Sequence, residues 1–178
     1  MNQVLDAIKD RRTILRFEEA PVEEDKIQAI LEAGRWAPSW LNRQPWRFIL
    51  IEDQSLKRRI SQHVPTVFNL GINEAPISII VCVDSEEDPY HFIEDGAAST
   101  QNMALAAHSL GLGSCWIGVF NVEDEKGSSE EKIKEILSIP KNYRVISVLP
   151  IGIPKYFEQK DRKKLSTLLY RDGFQESG

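Results

Sequence analysis

The most constraining feature of this sequence is an almost continuous apolar run, Pro76 to Val83 (PISIIVCV), followed by the longest helical pattern in the chain. Such a run is typical of a central strand whose two faces are both covered. The helical pattern spans about residues 92–110, and its middle, GAASTQNMALAA, carries mostly small side chains. Small side chains let close-packed neighbours approach the backbone. The pair therefore predicts a buried strand beside a central helix packed on several sides.

Shorter patterns on both sides of this pair predict the remaining elements. Helices are predicted over about residues 2–11, from Pro21 to a stop at Pro38, around Leu56–Val64, and after Ser128, where Glu131 completes a capping box. Strands are predicted over Trp46–Glu52, Gly113–Phe120 and Tyr143–Ile151. Strands that alternate with helices favour a layered core of the α/β type or of the α+β class.

Length and charge limit the class of protein. The chain has 178 residues, which predicts a single domain over 1–178, with 154–178 as a C-terminal arm that holds few core positions. Twenty-two basic residues against 27 acidic ones give a net charge of −5. This balance argues against a broad basic face, so we expect no nucleic-acid partner.

Cysteine usage and hydropathy indicate a cytoplasmic protein. Cys82 and Cys115 each lie in an apolar stretch and are predicted to be buried thiols and not part of a disulfide framework. The charged segment Met1–Arg12 lacks the apolar core of a signal peptide. The longest unbroken apolar run, Ile79–Val83, is too short to span a bilayer, so we expect no membrane partner.

The sequence contains no familiar set of catalytic side chains. The histidines His63, His91 and His108 do not form an HxxxH or HExxH pattern, so no metal site is expected. A G-x-S-x-G elbow and a P-loop are also missing, and Gly111-Leu-Gly113 lacks the third glycine of a dinucleotide fingerprint. If the chain is an enzyme, a bound cofactor must carry the chemistry, and no catalytic side chain is expected.

Two basic segments at opposite ends of the chain could meet on one phosphate group. Arg11 and Arg12 lie near the start, and Lys160 and Arg162 lie near the end. Arginine guanidinium groups bind phosphate oxygens in pairs, and Thr13 adds a hydroxyl beside the first segment. The alternative is a solvated cluster of surface charges, an alternative that applies above all to the C-terminal run.

The segment Ala37–Trp46 (APSWLNRQPW) is the second candidate for binding. Prolines restrict its backbone, and polar side chains in such a loop can read the polar edge of a planar ring by hydrogen bonds. The polar residues are Ser39, Asn42 and Gln44, and Trp40 and Trp46 add flat apolar surface. The alternative is a loop that only ends a helix and buries its tryptophans.

These segments resemble the FMN-dependent nitroreductase family. RRTILRF (Arg11–Phe17) followed by Pro21-Val22 is similar to the family's RRSxRxF…PV opening, and APSWLNRQPWRFI (Ala37–Ile49) is similar to its APSxxNxQPWxF segment. DGAASTQNMALAAHSLGLGSCWIGVF (Asp95–Phe120) is similar to its central helix, GLG turn and W-x-G strand end. Weaker matches are LPIGIP (Leu149–Pro154) and KDRKKL (Lys160–Leu165). The resemblance covers nearly the whole chain.

The resemblance implies an α+β fold of three layers, with a mixed, mostly antiparallel sheet between helices, and an intertwined homodimer with FMN at its interface. It assigns the FMN phosphate and ribityl chain to Arg11, Arg12 and Thr13, with Lys160 and Arg162 closing from the tail. It assigns the partner subunit's flavin to Pro38, Ser39, Trp40 and Asn42, with Gln44 supporting that loop or reaching the ring. Cys115, Trp116, Ile117 and Gly118 would run along the isoalloxazine, with an N–H near Gly118 or Val119 facing N5.

The activity implied by the resemblance is an NAD(P)H-dependent flavin oxidoreductase. NADH or NADPH would reduce FMN, and a small electron-poor acceptor, such as a nitroaromatic, a quinone or an activated alkene, would then take the electrons in a ping-pong cycle. Two alternatives remain open. One is a flavin-fragmenting or dehalogenating member of the family, although Asp53–Pro76 and Asp84–His91 leave little room for a lid. The other is a flavin-binding module without enzymatic activity.

One position departs from the family pattern. The fifth residue of the RRSxR motif is usually basic, and here it is Leu15. A cation beside the flavin would favour its anionic reduced form. Leu15 therefore bears on flavin affinity and redox potential, and Arg16 could replace the missing cation only if the backbone turned.

Overall fold

The computed structural model describes residues 2–121, 126–157 and 160–174. Its helices in these ranges are α1 (Gln3–Asp10), α2 (Glu24–Arg35), α3 (Gln54–Ser61), α4 (Thr66–Glu74), α5 (Phe92–Ser109) and α6 (Ser129–Leu137). Its strands are β1 (Trp46–Ile51), β2 (Ile77–Asp84), β3 (Gly113–Ser114), β4 (Ile117–Gly118) and β5 (Tyr143–Gly152). Single 3₁₀ turns cover Trp40–Asn42 and Leu165–Thr167.

The sheet is built around β5, its longest strand. β5 pairs antiparallel with β2 on one side and with the short strands β3 and β4 on the other. β1 pairs antiparallel with the free side of β2, which gives the order β1-β2-β5-β3. A parallel bridge between Thr13 and Ser114 adds the segment after α1 to this sheet. The predicted mixed, mostly antiparallel sheet is thus confirmed.

Alternate residues of β2 bury their side chains in two different hydrophobic clusters. Ile79 and Val81 pack with Ile30 of α2 and Met103 of α5 on one face. Ile80 and Cys82 pack on the other face with side chains of α3, α4 and α6, namely Ile60, Ile72 and Ile133. Because both faces of a central strand are covered, its side chains are apolar without alternation. This arrangement is the predicted sandwich of helix, sheet and helix.

The small residues of α5 allow close contact, as predicted. A Cβ atom added to Gly96 would lie 2.5 Å from Cγ1 of Ile146 in β5, and one added to Gly34 of α2 would lie 2.8 Å from Cγ of Met103. The Ser99 hydroxyl donates to the Gly34 carbonyl at 3.0 Å, so the close approach also carries a buried hydrogen bond. α5 is therefore fixed against both α2 and the sheet.

Several predicted boundaries needed correction. The helix predicted from Pro21 begins only at Glu24, because Val22 lies in extended backbone and is buried in the core. The helix predicted around Leu56–Val64 ends at Ser61. A second helix that was not predicted, α4, begins after Pro65, which disfavours helical backbone at the residue before it. The predicted strand Gly113–Phe120 is two short strands separated at Cys115–Trp116. The capping box is confirmed in part, since the Ser128 hydroxyl accepts the Glu131 N–H at 3.1 Å.

A buried ion pair joins α6 to β5. The Glu130 carboxylate is fully buried and accepts from Arg144 Nε at 2.7 Å and Nη2 at 2.9 Å. It also accepts the backbone N–H groups of Asn121 at 2.9 Å and Val145 at 3.0 Å. One carboxylate thus fixes the segment after β4 against β5, and its loss would leave a largely buried guanidinium group without its main partner.

We expect Glu130→Ala to lower the free energy of unfolding by about 3–5 kcal/mol, the usual cost of removing one partner of a buried ion pair. Chemical denaturation followed by circular dichroism would measure the change. Glu135→Ala is the matched control, because it breaks the exposed Lys132–Glu135 pair of the same helix and should cost at most about 1 kcal/mol. Equal effects of the two substitutions would contradict a structural role for the buried pair.

Candidate functional site

The segment after α1 lies along the β3 edge of the sheet. α1 ends at Asp10 with Arg11 as its C-cap, and the chain then reaches β3, where the Ile14 N–H donates to the Ser114 carbonyl at 2.9 Å. This pairing places the three residues Arg11 to Thr13 beside Ser114 and Cys115. Thr13 is exposed, and it directly follows the two arginines in the chain.

The structure brings the tail arginine Arg162 close to Arg11. Burial, and then the guanidinium charges of Arg162 and Arg12, lower the pKa of Arg11. Arg12 Nη1 donates to the Lys9 and Arg11 carbonyls at 2.5 and 3.0 Å, and Arg162 Nη1 donates to the Lys160 carbonyl at 3.3 Å. The charge of Arg162 in the tail thus reaches Arg11, although the two arginines are about 150 positions apart along the chain.

The cluster has unused hydrogen-bond donors. Within the described ranges, the Nε atoms of Arg11 and Arg12 are buried and have no hydrogen-bond acceptor. Buried donors in proteins are nearly always paired, and like charges repel unless an anion lies between them. The donor set fits a phosphate group, whose oxygens would satisfy both Nε atoms and offset the repulsion among the arginines.

The residues from Cys115 to Gly118 form the edge beside this cluster. Cys115 and Ile117 are buried, whereas Trp116 and Gly118 are exposed. The N–H groups of Cys115 and Val119 donate towards β5, to the carbonyls of Pro150 at 3.2 Å and Ile146 at 3.4 Å. Because peptide groups alternate along a strand, the N–H of Gly118 points away from β5. Of the two predicted N–H groups near the ring, Gly118 is therefore the one that faces outward.

Gly118 also has open space beside it. A Cβ atom built on Gly118 would meet no described heavy atom within 4 Å. A flat ring could therefore approach the backbone here. Burial raises the pKa of the Cys115 thiol, three positions earlier in the chain, to about 12. The Cys115 thiol is therefore uncharged at neutral pH and does not act as a nucleophile.

The polar loop, defined here as residues 38–44, has a strained backbone. Leu41, Asn42 and Gln44 have φ values of 49°, 55° and 55°, in the left-handed region. This region costs a residue with a Cβ about 1–2 kcal/mol, and asparagine tolerates it best. The strain is held by short contacts within the loop, such as the Gln44 N–H donating to the Ser39 hydroxyl at 2.9 Å. Backbone strain of this kind is concentrated at functional sites.

The side chains of the polar loop are largely accessible. Pro38, Asn42 and Gln44 are exposed, and Ser39 and Trp40 are half-buried. The Gln44 side chain donates to the Asn42 carbonyl at 3.2 Å, so it supports the loop. Trp46, by contrast, is a core residue of β1 with only 5% exposure, as the alternative interpretation holds.

The polar loop is anchored to the start of α5 and to the turn before it. The Trp40 N–H donates to the buried carboxylate of Asp95 in the first turn of α5, and the Trp40 ring stacks on His91 at 4.9 Å. Arg43 Nη1 donates to the Glu87 carbonyl at 2.7 Å. The sequence analysis missed Asp95 and His91; an acidic residue four positions after His91, in the first turn of a helix, was the available signal.

The polar loop and the arginine cluster lie at opposite ends of α5. His108 lies near the C-terminus of α5, and burial lowers its pKa. The charges of Asp10, Arg11 and Arg12 also act on this pKa, so these residues lie near that end of the helix. α5 has 18 residues and is therefore about 27 Å long. One chain therefore presents the two halves of the predicted site at positions separated by the length of its central helix.

Leu15 and Arg16 do not supply a cation to the site. Leu15 is half-buried and packs against the hydrophobic cluster that contains Ile72 and Cys115. Arg16 is paired with Glu74, through Nε at 3.0 Å and Nη2 at 2.9 Å. Glu74 also lies 3.6 Å from Lys155 Nζ. Arg16 is thus held in a separate ion-pair cluster and does not replace the cation that Leu15 lacks.

The chain belongs to the nitroreductase family. The family model matches residues 8–69 and 64–153, which is most of the chain. A protein of Methanothermobacter thermautotrophicus, whose name combines NADH dehydrogenase and NAD(P)H nitroreductase, is 39% identical over 153 residues, covering 85% of this chain and 77% of that protein. The FMN reductase [NAD(P)H] of Bacillus subtilis is 32% identical over 174 residues, covering 86% of this chain and 67% of that enzyme.

Solved structures share the whole fold. The FMN-dependent nitroreductase of Clostridium difficile R20291 superposes with a TM-score of 0.85 at 31% identity, covering 96% of this chain and 99% of that chain. A protein from Desulfovibrio desulfuricans, crystallised in complex with FMN, superposes with a TM-score of 0.83 at 30% identity, covering 98% and 99%. The resemblance inferred from the sequence motifs is therefore confirmed at the level of family and fold.

Proposed function

We propose that this protein is an NAD(P)H-dependent FMN oxidoreductase that reduces small electron-poor acceptors such as nitroaromatics and quinones. The observation that carries the proposal is the arginine cluster, with its two unsatisfied buried Nε donors beside an edge strand that ends in open space at Gly118. The relatives support it, because they include an FMN reductase and an FMN-dependent nitroreductase. We infer FMN as the cofactor and NADH or NADPH as the hydride donor.

The residues of the chain bind and orient the cofactor and do not react themselves. Arg11, Arg12 and Thr13 bind the phosphate and ribityl chain, and Lys160 and Arg162 close on the phosphate from the tail. Cys115–Gly118 lies along the ring, and the outward N–H of Gly118 faces the ring edge. When bound, FMN would supply the redox chemistry, namely transfer of a hydride from NAD(P)H and of electrons to an acceptor that binds afterwards at the same face.

A homodimer would bring the two halves of the site together. Within one chain they are separated by the length of α5, so a second copy that runs the opposite way could place its polar loop, with Pro38, Ser39, Trp40, Asn42 and Gln44, over the first copy's flavin. Exposed apolar side chains fit such an interface. Leu5 and Ile8 of α1 are 53% and 52% exposed, and Leu165 and Phe174 of the tail are 72% and 80% exposed.

The alternatives with a lid receive little support. The segment between Asp53 and Pro76 is occupied by α3 and α4, whose Ile60 and Ile72 are fully buried. The turn before α5 is held by Asp88, which accepts two backbone N–H groups. Neither segment offers a free loop, which favours a general reductase over a flavin-fragmenting or dehalogenating enzyme.

None of the described helices has both the length and the apolar character to cross a membrane. Two buried, unpaired cysteines fit a reducing cytoplasm.

The first test is the visible spectrum of the purified protein, before and after addition of NADPH or NADH without oxygen. We expect a flavin spectrum that bleaches with at least one of the two donors and returns when a quinone or nitroaromatic is added. A flavin spectrum that persists with both donors would contradict the oxidoreductase and favour a flavin-binding module. Absence of flavin, even after FMN is supplied, would contradict the cofactor assignment itself.

Arg11→Ala tests the phosphate site. Removal of a charge-assisted hydrogen bond costs about 1.5–3 kcal/mol, so we expect the dissociation constant of FMN to rise by about 10- to 100-fold. Fluorescence titration of the flavin-stripped protein measures this change. Arg59→Ala removes an exposed arginine of α3 as the matched control and should leave the constant unchanged. Full retention of FMN by Arg11→Ala would mean that the phosphate lies elsewhere.

The double substitution Leu5→Glu/Ile8→Glu tests the proposed dimer interface. Two charges placed in an apolar interface should convert the dimer to a monomer in analytical ultracentrifugation, with loss of bound FMN. The matched control is Val67→Glu/Leu70→Glu, which puts the same charges at the same spacing on the exposed side chains of α4. Dissociation by the control instead would place the interface on α4, and a monomeric wild-type protein would overturn the dimer.

A further inference from the structure

The strained polar loop depends on a buried carboxyl group outside it. The Trp40 N–H donates to both Asp95 oxygens, at 3.1 and 3.3 Å, and Asp95 is only 5% exposed. Trp40 is the first residue of the 3₁₀ turn, directly before Leu41 and Asn42, which have left-handed backbone. Asp95 therefore binds the loop at the point where its unfavourable conformation begins.

A second buried carboxyl group lies against Asp95. Asp88 is fully buried, and its Oδ1 accepts the N–H groups of Tyr90 and His91, both at 3.1 Å. Its Oδ2 is buried and has no hydrogen-bond donor among the described residues. Two adjacent carboxylates cannot both be ionised in a buried place without a large cost. A proton on one of them would give the Asp88 Oδ2 atom its missing donor.

The surroundings place this proton on Asp95. Burial, and then the neighbouring Asp88, raise the pKa of Asp95, although the Trp40 N–H opposes the shift. Burial also acts to raise the pKa of Asp88, but the N–H groups of His91 and Tyr90 outweigh it and hold that pKa below its usual value. Asp95 can then donate to Asp88 while it accepts from Trp40.

The ring of Trp40 is held by the same group of residues. It stacks on the His91 imidazole with ring centres 4.9 Å apart and planes 24° apart, and His91 is the residue whose N–H Asp88 binds. The Arg43 guanidinium lies 5.0 Å from the centre of the Trp40 ring. Backbone and ring of Trp40 are therefore both fixed through the two aspartates.

We propose that Asp95, in the first turn of α5, is a positioning residue for cofactor binding, because its carboxyl group links the Trp40 amide of the polar loop to Asp88 in the turn before α5. The inference rests on the proposed function, in which the polar loop meets FMN. Asp95 itself touches no substrate or cofactor. It acts by keeping Ser39, Trp40 and Asn42 in the one backbone shape that presents them to the ring.

The test compares three variants of the full-length protein. Asp95→Asn keeps an oxygen for the Trp40 N–H and an N–H donor for Asp88, so it reproduces the protonated acid. Asp95→Ala removes both hydrogen bonds. Ser99→Ala is the matched control, because it removes a buried hydrogen bond of the same helix that goes to α2 and not to the polar loop. Circular dichroism and thermal unfolding establish that each variant is folded.

Hydrogen exchange of the peptide over residues 37–45 and the dissociation constant of FMN are then measured. In Asp95→Ala we expect the amide hydrogens of this peptide to exchange at least about tenfold faster than in the wild type. We also expect FMN to bind about tenfold more weakly, which is the scale of one lost buried hydrogen bond. Asp95→Asn and Ser99→Ala should match the wild type in both measurements. If Asp95→Ala does not fold, Asp95→Ser, whose short side chain withdraws from Trp40, takes its place.

The outcomes separate this inference from the proposed function. Unchanged exchange in Asp95→Ala, with FMN bound normally, would overturn the positioning role and leave the oxidoreductase intact. Equal damage by Asp95→Asn and Asp95→Ala would also overturn it, since the amide keeps both hydrogen bonds. A third outcome is faster exchange in Asp95→Ala when the wild-type protein itself binds no FMN. It would support the link between Asp95 and the loop and reject a role of that link in cofactor binding.

Discussion

Burial of β2 and β5 between two layers of helices is the constraint on which the site depends. β5 pairs with β2, β3 and β4, so the position of each of these strands is fixed relative to a single buried strand. β3 in turn positions the segment after α1, including Arg11, through the hydrogen bond between Ile14 and Ser114. β2 positions the end of the polar loop, because the Asp84 N–H donates to the carbonyl of Pro45, the residue directly after the loop. The burial of apolar side chains in the sheet thus determines where both predicted binding segments lie.

α5 sets the distance between them. Its glycine and other small residues let it lie against both α2 and β5, and a larger residue at Gly96 would collide with Ile146. A rigid helix in this place keeps the arginine cluster and the polar loop apart within one chain. In the proposed function, a single chain would bind the phosphate end of FMN and a second chain would cover the ring. The separation of the two segments along α5 is therefore the physical argument for the proposed homodimer.

The sequence allowed the sheet to be predicted and two candidate binding segments to be proposed, because both leave local patterns. The apolar run before Asp84, the small residues of α5 and the arginines at Arg11 and Arg12 are visible without a structure. The end of α3 at Ser61 and the whole of α4 were missed, although Pro65 marks the break between the two helices. The roles of Asp88 and Asp95 could not be predicted, because Asp95 meets Trp40 across 55 positions. Hydrophobic periodicity carries no information about such a contact, and an aspartate in a first helical turn is ordinarily a surface charge.

The departures from ordinary local rules are concentrated in the predicted site. Arg11, Arg12 and Arg162 gather like charges, and Leu41 and Gln44 adopt left-handed backbone. Each feature costs free energy unless something outside the local sequence compensates for it. For the loop the compensation comes from within the chain, through Asp95, so its shape exists before a ligand arrives. For the arginines, the proposed FMN phosphate would supply it, and their cost would then be recovered only on binding. A loop organised in advance and a cation cluster that needs its anion together favour tight binding of a cofactor that stays in place over many reaction cycles.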